Sequence, residues 1–327
     1  MRIAYLITAY DHPSQLARLV NRIKTRYSHV FIHVDGRSTL SPFSDALPVE
    51  NGIEFIQDRV DVNWMGFSQV RSILALLRRA AQEQFDYCVL LSGSDYPIKS
   101  NEQIEAFYRG ATREYINFWQ LDDRPSWKHK VLYHYPIDWV PIHGYSKNCE
   151  PSFWVRYFWG RFFKYQQYLP KRTFLKGLTP CGGSDWWSIS RECVDYILHY
   201  VDAHPEYVNF YRFTHCPSEM FFHTIIFNSP LRTRLQNFEE YMAWSASTSV
   251  DDKLREDSML AEDTFNFRYI DWSGNLTRQR ETPAILDERD WDALAYSADL
   301  FARKFHPVHS AAVLDRIDRE LLKVTGK

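Results

Sequence analysis

Glu219 follows Pro217-Ser218 and precedes His223 by four residues, so a carboxylate and an imidazole fall on one face of the helix expected over residues 220–227. That spacing can ligate a metal, but no third ligand is evident, which leaves His223 a structural role. A carboxylate at a helix start is favoured by the helix dipole. The same group can take a proton from a hydroxyl held within about 3 Å. Taken alone, Glu219 reads as an ordinary first-turn acid. Arg303-Lys304 lies between Phe301 and Phe305, a context that argues for partial burial, and arginine suits bidentate contact with phosphate. The one Asp-x-Asp, Asp290-Trp291-Asp292, falls at an expected helix start, where acids cap. Ser94-Asp95-Tyr96 carries a single carboxylate with no second acid two residues away. No metal site is expected from either.

These residues need elements to hold them. Residues 3–7 form a short apolar run ending at Thr8-Ala9-Tyr10-Asp11, as a buried strand and its loop would read. Pro13 then sits where a first helical turn tolerates it, with Leu16, Leu19, Val20 and Ile23 at helical spacing. A second strand, Val30-Phe31-Ile32-His33-Val34, ends on Asp35-Gly36, and residues 53–56 suit a third. Val70, Ile73, Leu74 and Leu77 restore the helical period before a strand over residues 87–91 that runs into Asp95. This order over the first hundred residues predicts a parallel, doubly wound nucleotide-binding sheet. Ligands of such sheets sit at the carboxyl ends of the strands, where residues 8–11, Asp35 and Asp95 would lie.

Further on, residues 186–190 read as a strand leading into a helix around Val194, Ile197 and Leu198, and residues 267–272 as another strand. Residues 291–298 and 308–322 read as closing helices. Residues 120–182 show no steady period. Within them, residues 151–184 hold Arg156, Arg161, Lys164, Lys171, Arg172 and Lys176 but no acid, interleaved with aromatic rings. Such a segment can lie at a membrane interface. It can equally be a helix with a core-facing aromatic stripe and a solvated basic face, the reading we favour from sequence.

The 327 residues suit one large domain or two intimately packed ones, 45% of them apolar and 24% charged, as in ordinary globular proteins. A net charge of -2 gives no global pull toward nucleic acid. The 11 Trp, 20 Tyr and 22 Phe could all be core, yet aromatic rings also pack on the apolar face of sugars. Five cysteines (Cys88, Cys149, Cys181, Cys193, Cys216) match no zinc spacing and predict reduced thiols. No uncharged apolar run approaches the roughly 20 residues that span a bilayer. The expected location is cytoplasmic, at most peripheral at the inner face of a membrane.

Seven stretches, in order, resemble glycosyltransferase family 14, which holds the core-2/I-branching β-1,6-N-acetylglucosaminyltransferases and the peptide O-xylosyltransferases. They are His33-Val34-Asp35, Trp64-Met65-Gly66, Leu91-Ser92-Gly93-Ser94-Asp95-Tyr96-Pro97-Ile98, Gly182-Gly183-Ser184-Asp185-Trp186, Pro217-Ser218-Glu219-Met220-Phe221-Phe222-His223-Thr224, Arg268-Tyr269-Ile270-Asp271-Trp272 and Leu300-Phe301-Ala302-Arg303-Lys304-Phe305. The fourth and fifth look closer to the xylosyltransferase branch. Trp64-Met65-Gly66 departs from the family's frequent Trp-Gly-Gly.

The resemblance implies an α/β, GT-A type fold with a mostly parallel Rossmann-like sheet flanked by helices. It implies one catalytic domain over 1–327, with a nucleotide-sugar half over 1–110 and an acceptor-binding, catalytic half over 111–327. The implied reaction is inverting transfer of xylose or N-acetylglucosamine from a UDP-sugar to a carbohydrate, glycolipid or peptide hydroxyl, with no obligatory metal or other cofactor. Glu219 would be the base, and Arg268, Arg303 and Lys304 would bind the donor diphosphate. Asp35 and Asp95 would bind the nucleotide, and Asp185 and Trp186 would line the sugar. Peripheral membrane contact through 153–176 is a further expectation. A carbohydrate- or nucleotide-binding module without catalysis remains an alternative. A glycoside hydrolase would use Asp185 and Glu219 as its carboxylate pair, about 5–10 Å apart, but leaves the cations unexplained.

Overall fold

The computed structural model describes residues 1–48, 52–139, 153–249, 252–253, 265–272 and 283–323; Cys149 lies outside them. A central sheet runs in the order β3 (Ile53–Phe55), β2 (Ser28–Val34), β1 (Ile3–Ala9), β4 (Tyr87–Ser92), β9 (Trp187–Ser190), β6 (Tyr115–Ile116). The first four are parallel; β9 runs antiparallel to β4, and β6 to β9. A second sheet, β10 (Arg268–Ile270), β11 (Phe301–Arg303) and β5 (Tyr96–Pro97), and a pair, β7 (Trp119–Gln120) with β8 (Cys181–Gly182), complete the strands. The expected mostly parallel α/β architecture is present.

The core follows from two-residue alternation. Tyr5 and Ile7 face one side of the sheet, against Leu16, Leu19 and Val20 of α1 (Pro13–Ile23). Ala4 and Leu6 face the other, where Val70, Ile73 and Leu77 of α3 (Phe67–Ala80) pack. Both sides are therefore buried, as crossover helices require of parallel strands. Each fully buried Leu or Ile contributes roughly 1.5–3 kcal/mol of transfer free energy. The short α2 (Ser41–Ala46) and the capping-box helix α4 (Asn101–Tyr108) flank the α1 side.

The α3 side also receives α7 (Arg191–Ala203), α8 (Pro205–Tyr211) and α9 (Ser218–Phe227). Short α5 (His129–Leu132) and exposed α6 (Phe153–Tyr165) precede them; α10 (Phe238–Ser247), α11 (Trp291–Tyr296) and α12 (Ala311–Arg316) follow. The expected closing helix over 308–322 starts at Ala311 and widens into a π-type turn over Ile317–Leu321. There Asp318 is clamped by Arg18, Arg22 and Tyr96, which ties the chain's end to α1. Cys88, Cys181, Cys193 and Cys216 are free and buried.

Pairing of β5 with β11 has the consequence that matters for function. It lays residues 301–305 across the carboxyl end of β4, where the Phe305 N–H donates to the Ser94 carbonyl at 2.8 Å.

Candidate active site

Helix α9 carries Phe, Ile and Met around its whole circumference, and every residue in it except Glu219 is buried. A helix apolar on all faces must sit in a core. Glu219 is the one place, at its N-terminal end, where it reaches outward. The loop before β9 stitches to it: Gly183 N–H donates to the Glu219 carbonyl at 2.8 Å, and Thr224 Oγ1 bridges the N–H and carbonyl of Cys181. His223 Nε2 donates to the Ser184 carbonyl at 3.0 Å, and burial holds the imidazole neutral, its pKa lowered to about 3. His223 is therefore structural, as expected. Gly183 has to be glycine, since a Cβ would fall 1.8 Å from the Asn117 carbonyl oxygen.

Against Glu219 lies Lys130 of α5, whose ammonium pairs with Oε2 and sits 3.2 Å from the centroid of the Trp127 ring. Trp127 stands edge-on to Trp119, and the Arg124 guanidinium covers both rings. Lys130 is nearly buried, so the pair is partly desolvated and loss of either partner would leave the other charge uncompensated. Sequence reasoning missed it. The only available signal was Trp127 and Lys130 at i, i+3 inside a stretch without period.

Asp185 follows Gly182-Gly183-Ser184 and lies within electrostatic reach of Glu219. Its Oδ1 is buried with no hydrogen-bond partner. Burial, then the Glu219 charge, push its carboxyl up to about 6; Ser218, Arg303 and Lys130 pull the other way. A carboxyl raised above its unfolded value favours folding below about pH 4, and that contribution is lost as pH rises through about 6. Asp185→Asn should therefore leave stability unchanged near pH 4 and raise it by up to roughly 3 kcal/mol near neutrality. Denaturant titrations at both pH values check this; curves that stay parallel between wild type and variant would rule out the strained carboxylate.

Arg303 completes the group. Its guanidinium stacks 4.1 Å from the centroid of the Trp186 ring, and its Nε lies 3.2 Å from Asp95 Oδ1. Asp95 is fully buried and also accepts from the N–H and hydroxyl of Ser92. Asp95, Arg303, Trp186, Asp185, Glu219 and Lys130 thus form one continuous set, spanning positions 95 to 303. Asp95, expected at the nucleotide, has its buried carboxylate against Arg303 and so holds that guanidinium in position.

Arg268 does not join that set. It is buried, its Nη1 and Nη2 donating to the carbonyls of Asn266, Phe267 and Leu90, and its guanidinium lies 4.5 Å from the Phe301 ring centroid. Through these contacts Arg268, expected on the diphosphate, pins β10 and β11 to β4. Lys304 follows Arg303, with its carbonyl accepting from Leu286 N–H at 2.9 Å. Asp35 stands two strands over from Asp95, about 10 Å away by strand spacing. Its carboxylate accepts from the N–H groups of Arg37 and Val62, so it shapes the turn at the sheet edge.

The model of the Core-2/I-Branching enzyme family matches residues 3–295. Rat "Xylosyltransferase 1" is 25% identical, covering 98% of this chain and 35% of that protein. Mouse "Xylosyltransferase 2" is 24% identical, covering 98% of this chain and 34% of that protein. The chain spans about a third of the length of these curated relatives. The solved apo form of mouse "Xyloside xylosyltransferase 1" aligns over 72% of this chain and 84% of its own, at 12% identity and a TM-score of 0.30. Among the described residues no helix is long and apolar enough to cross a membrane.

Proposed function

This chain belongs to the Core-2/I-branching enzyme family, and we propose that it transfers a sugar from a UDP-sugar to an acceptor hydroxyl with inversion, Glu219 serving as base. The observation that carries the reading is that a solvent-reaching carboxylate on a buried helix and a guanidinium seated over Trp186 both act on the Asp185 carboxyl between them in the electrostatics of the site. In-line attack needs those two functions on opposite sides of the reacting carbon. The acceptor oxygen bonds to the anomeric carbon as the bond from that carbon to the diphosphate oxygen breaks. Its proton passes to the Glu219 carboxylate and from there to solvent. The electron pair leaves on UDP, and its charge is met by Arg303 and Lys304.

Lys130 fixes the orientation of the Glu219 carboxylate, and the Trp127 ring holds the ammonium in place. Asp185, buried and short of a partner on one oxygen, is suited to accept a sugar hydroxyl, and Trp186 to pack on the sugar's C–H face. The donor is UDP-xylose or UDP-N-acetylglucosamine, with xylose favoured by the names of the relatives. The acceptor is a hydroxyl of a carbohydrate, glycolipid or peptide.

No divalent cation is required in this scheme. Where a metal-binding carboxylate pair would stand at the end of β4, Asp95 is buried and paired to Arg303. A panel of UDP-sugars scored by UDP release tests the reading, and turnover should be the same with EDTA as without. Activity lost in EDTA and restored by Mn²⁺ would overturn metal independence. Carbohydrate binding by calorimetry without UDP release from any donor would favour a binding module.

A further inference from the structure

Helix α6 presents a surface that the reaction does not use. Trp154, Tyr157, Phe158, Arg161, Phe162 and Tyr165 recur at i, i+3, i+4, i+7, i+8 and i+11, which places them on one helical face. That face is turned outward: Trp154 is 63% exposed and Phe158 64%, with Tyr157, Phe162 and Tyr165 also exposed. Tyr168, at 76%, and Leu169 extend it past the end of the helix. Of the aromatic rings expected to face the core, those described on this face are turned to solvent instead. Apolar area gathered on one face at this density marks a surface that something covers.

The charge around it says what. Residues 151–184 carry six Lys or Arg and no Asp or Glu in a chain whose net charge is -2. Of these, Arg161, Lys164, Lys171 and Lys176 are exposed, the first two on α6 itself. Arg161 donates to the Tyr157 hydroxyl at 2.8 Å and lies over the Tyr157 and Tyr165 rings, so the cation is held within the aromatic face. Tyr and Trp seat at the headgroup level of a bilayer, and clustered cations beside them select anionic lipid. We infer that α6 docks on an anionic lipid surface, its aromatic face entering the headgroup layer and Arg161, Lys164, Lys171 and Lys176 meeting the phosphates.

The segment is fastened to the site. Just past α6, Gln166 accepts from the His134 N–H at 2.9 Å, and Arg172 donates from its backbone to the Leu132 carbonyl and from its side chain to the Phe213 carbonyl. The first two of these bonds clamp the stretch that begins at α5, the helix whose Lys130 pairs with Glu219. A lipid surface under α6 would thus lie on the Lys130 side of the site.

Co-sedimentation with phosphatidylcholine vesicles, with and without phosphatidylglycerol, tests this on the whole chain. Wild type should bind the anionic vesicles at low salt and leave them at high salt. Lys164→Glu and Arg161→Glu should each weaken partition about fivefold or more. Trp154→Ser with Phe158→Ser should weaken it by at least about tenfold. Because these side chains are exposed, the melting temperature and donor hydrolysis without vesicles should match wild type. Wild type left in the supernatant with both vesicle types overturns the inference, as does equal, salt-insensitive binding to both. So does a dimer in light scattering that the Trp154→Ser, Phe158→Ser variant breaks, since a second copy would then be what covers the face.

Discussion

Glu219→Gln should lower the rate of sugar transfer by about 10²–10⁴-fold, with the affinity for UDP close to wild type. The substitution keeps the shape of the side chain and removes its capacity to take a proton, together with the charge that pairs with Lys130. Nothing else in α9 can stand in, because the remaining residues of the helix are buried, and His223 is held neutral with Nε2 donating to the Ser184 carbonyl. Among the described residues, Asp185 is the neighbouring carboxyl that could substitute. It would then become easier to ionise, since the Glu219 charge is the second cause of its raised pKa. A residual rate that rises with pH through the Asp185 titration would identify it as the substitute. Stopped transfer with intact UDP binding, read by a coupled UDP assay and by calorimetry, supports the base assignment. Full transfer in a folded Glu219→Gln protein refutes it.

Arg303→Met should cost about 10²–10³-fold in kcat, the usual loss when one group that stabilises developing negative charge is removed. The reasoning separates chemistry from structure. Arg303 also neutralises Asp95, which is fully buried, so its loss leaves an unpaired carboxylate inside the protein. Asp95→Asn combined with Arg303→Met removes that penalty and should restore the melting temperature without restoring kcat. Arg303→Lys keeps the charge but loses the planar stack on Trp186, and should fall between the two. A double variant that recovers both stability and rate would reassign Arg303 to a purely structural role.

Much of the scaffold was legible because its physics is local. The runs at residues 3–7 and 87–91 are buried on both faces, which leaves them almost wholly apolar, and Pro13 marks where α1 begins. The strand at 187–190 was expected, but its antiparallel seat between β4 and β6 was not, since direction is set by the partner and leaves no local trace. Glu219 was singled out through its company in sequence, although α9 held a physical signal as well: a helix apolar on every side with a single acid at its start.

What the sequence determined by itself is the kind of groups available: one solvent-reaching carboxylate on an apolar helix, a stacked aromatic and acid after a double glycine, and arginines set among phenylalanines. Tertiary structure alone decided which of them meet. Pairing of β5 with β11 brings Arg303 onto Asp95 across two hundred residues, and that same packing turns Arg268 inward onto the Leu90 carbonyl. An arginine on a three-residue strand has no period to reveal which face it takes, so its side chain could be assigned only from the packed structure. Lys130 was hidden for the same reason: its partnership with Glu219 exists only because α5, a single helical turn, is folded against the start of α9.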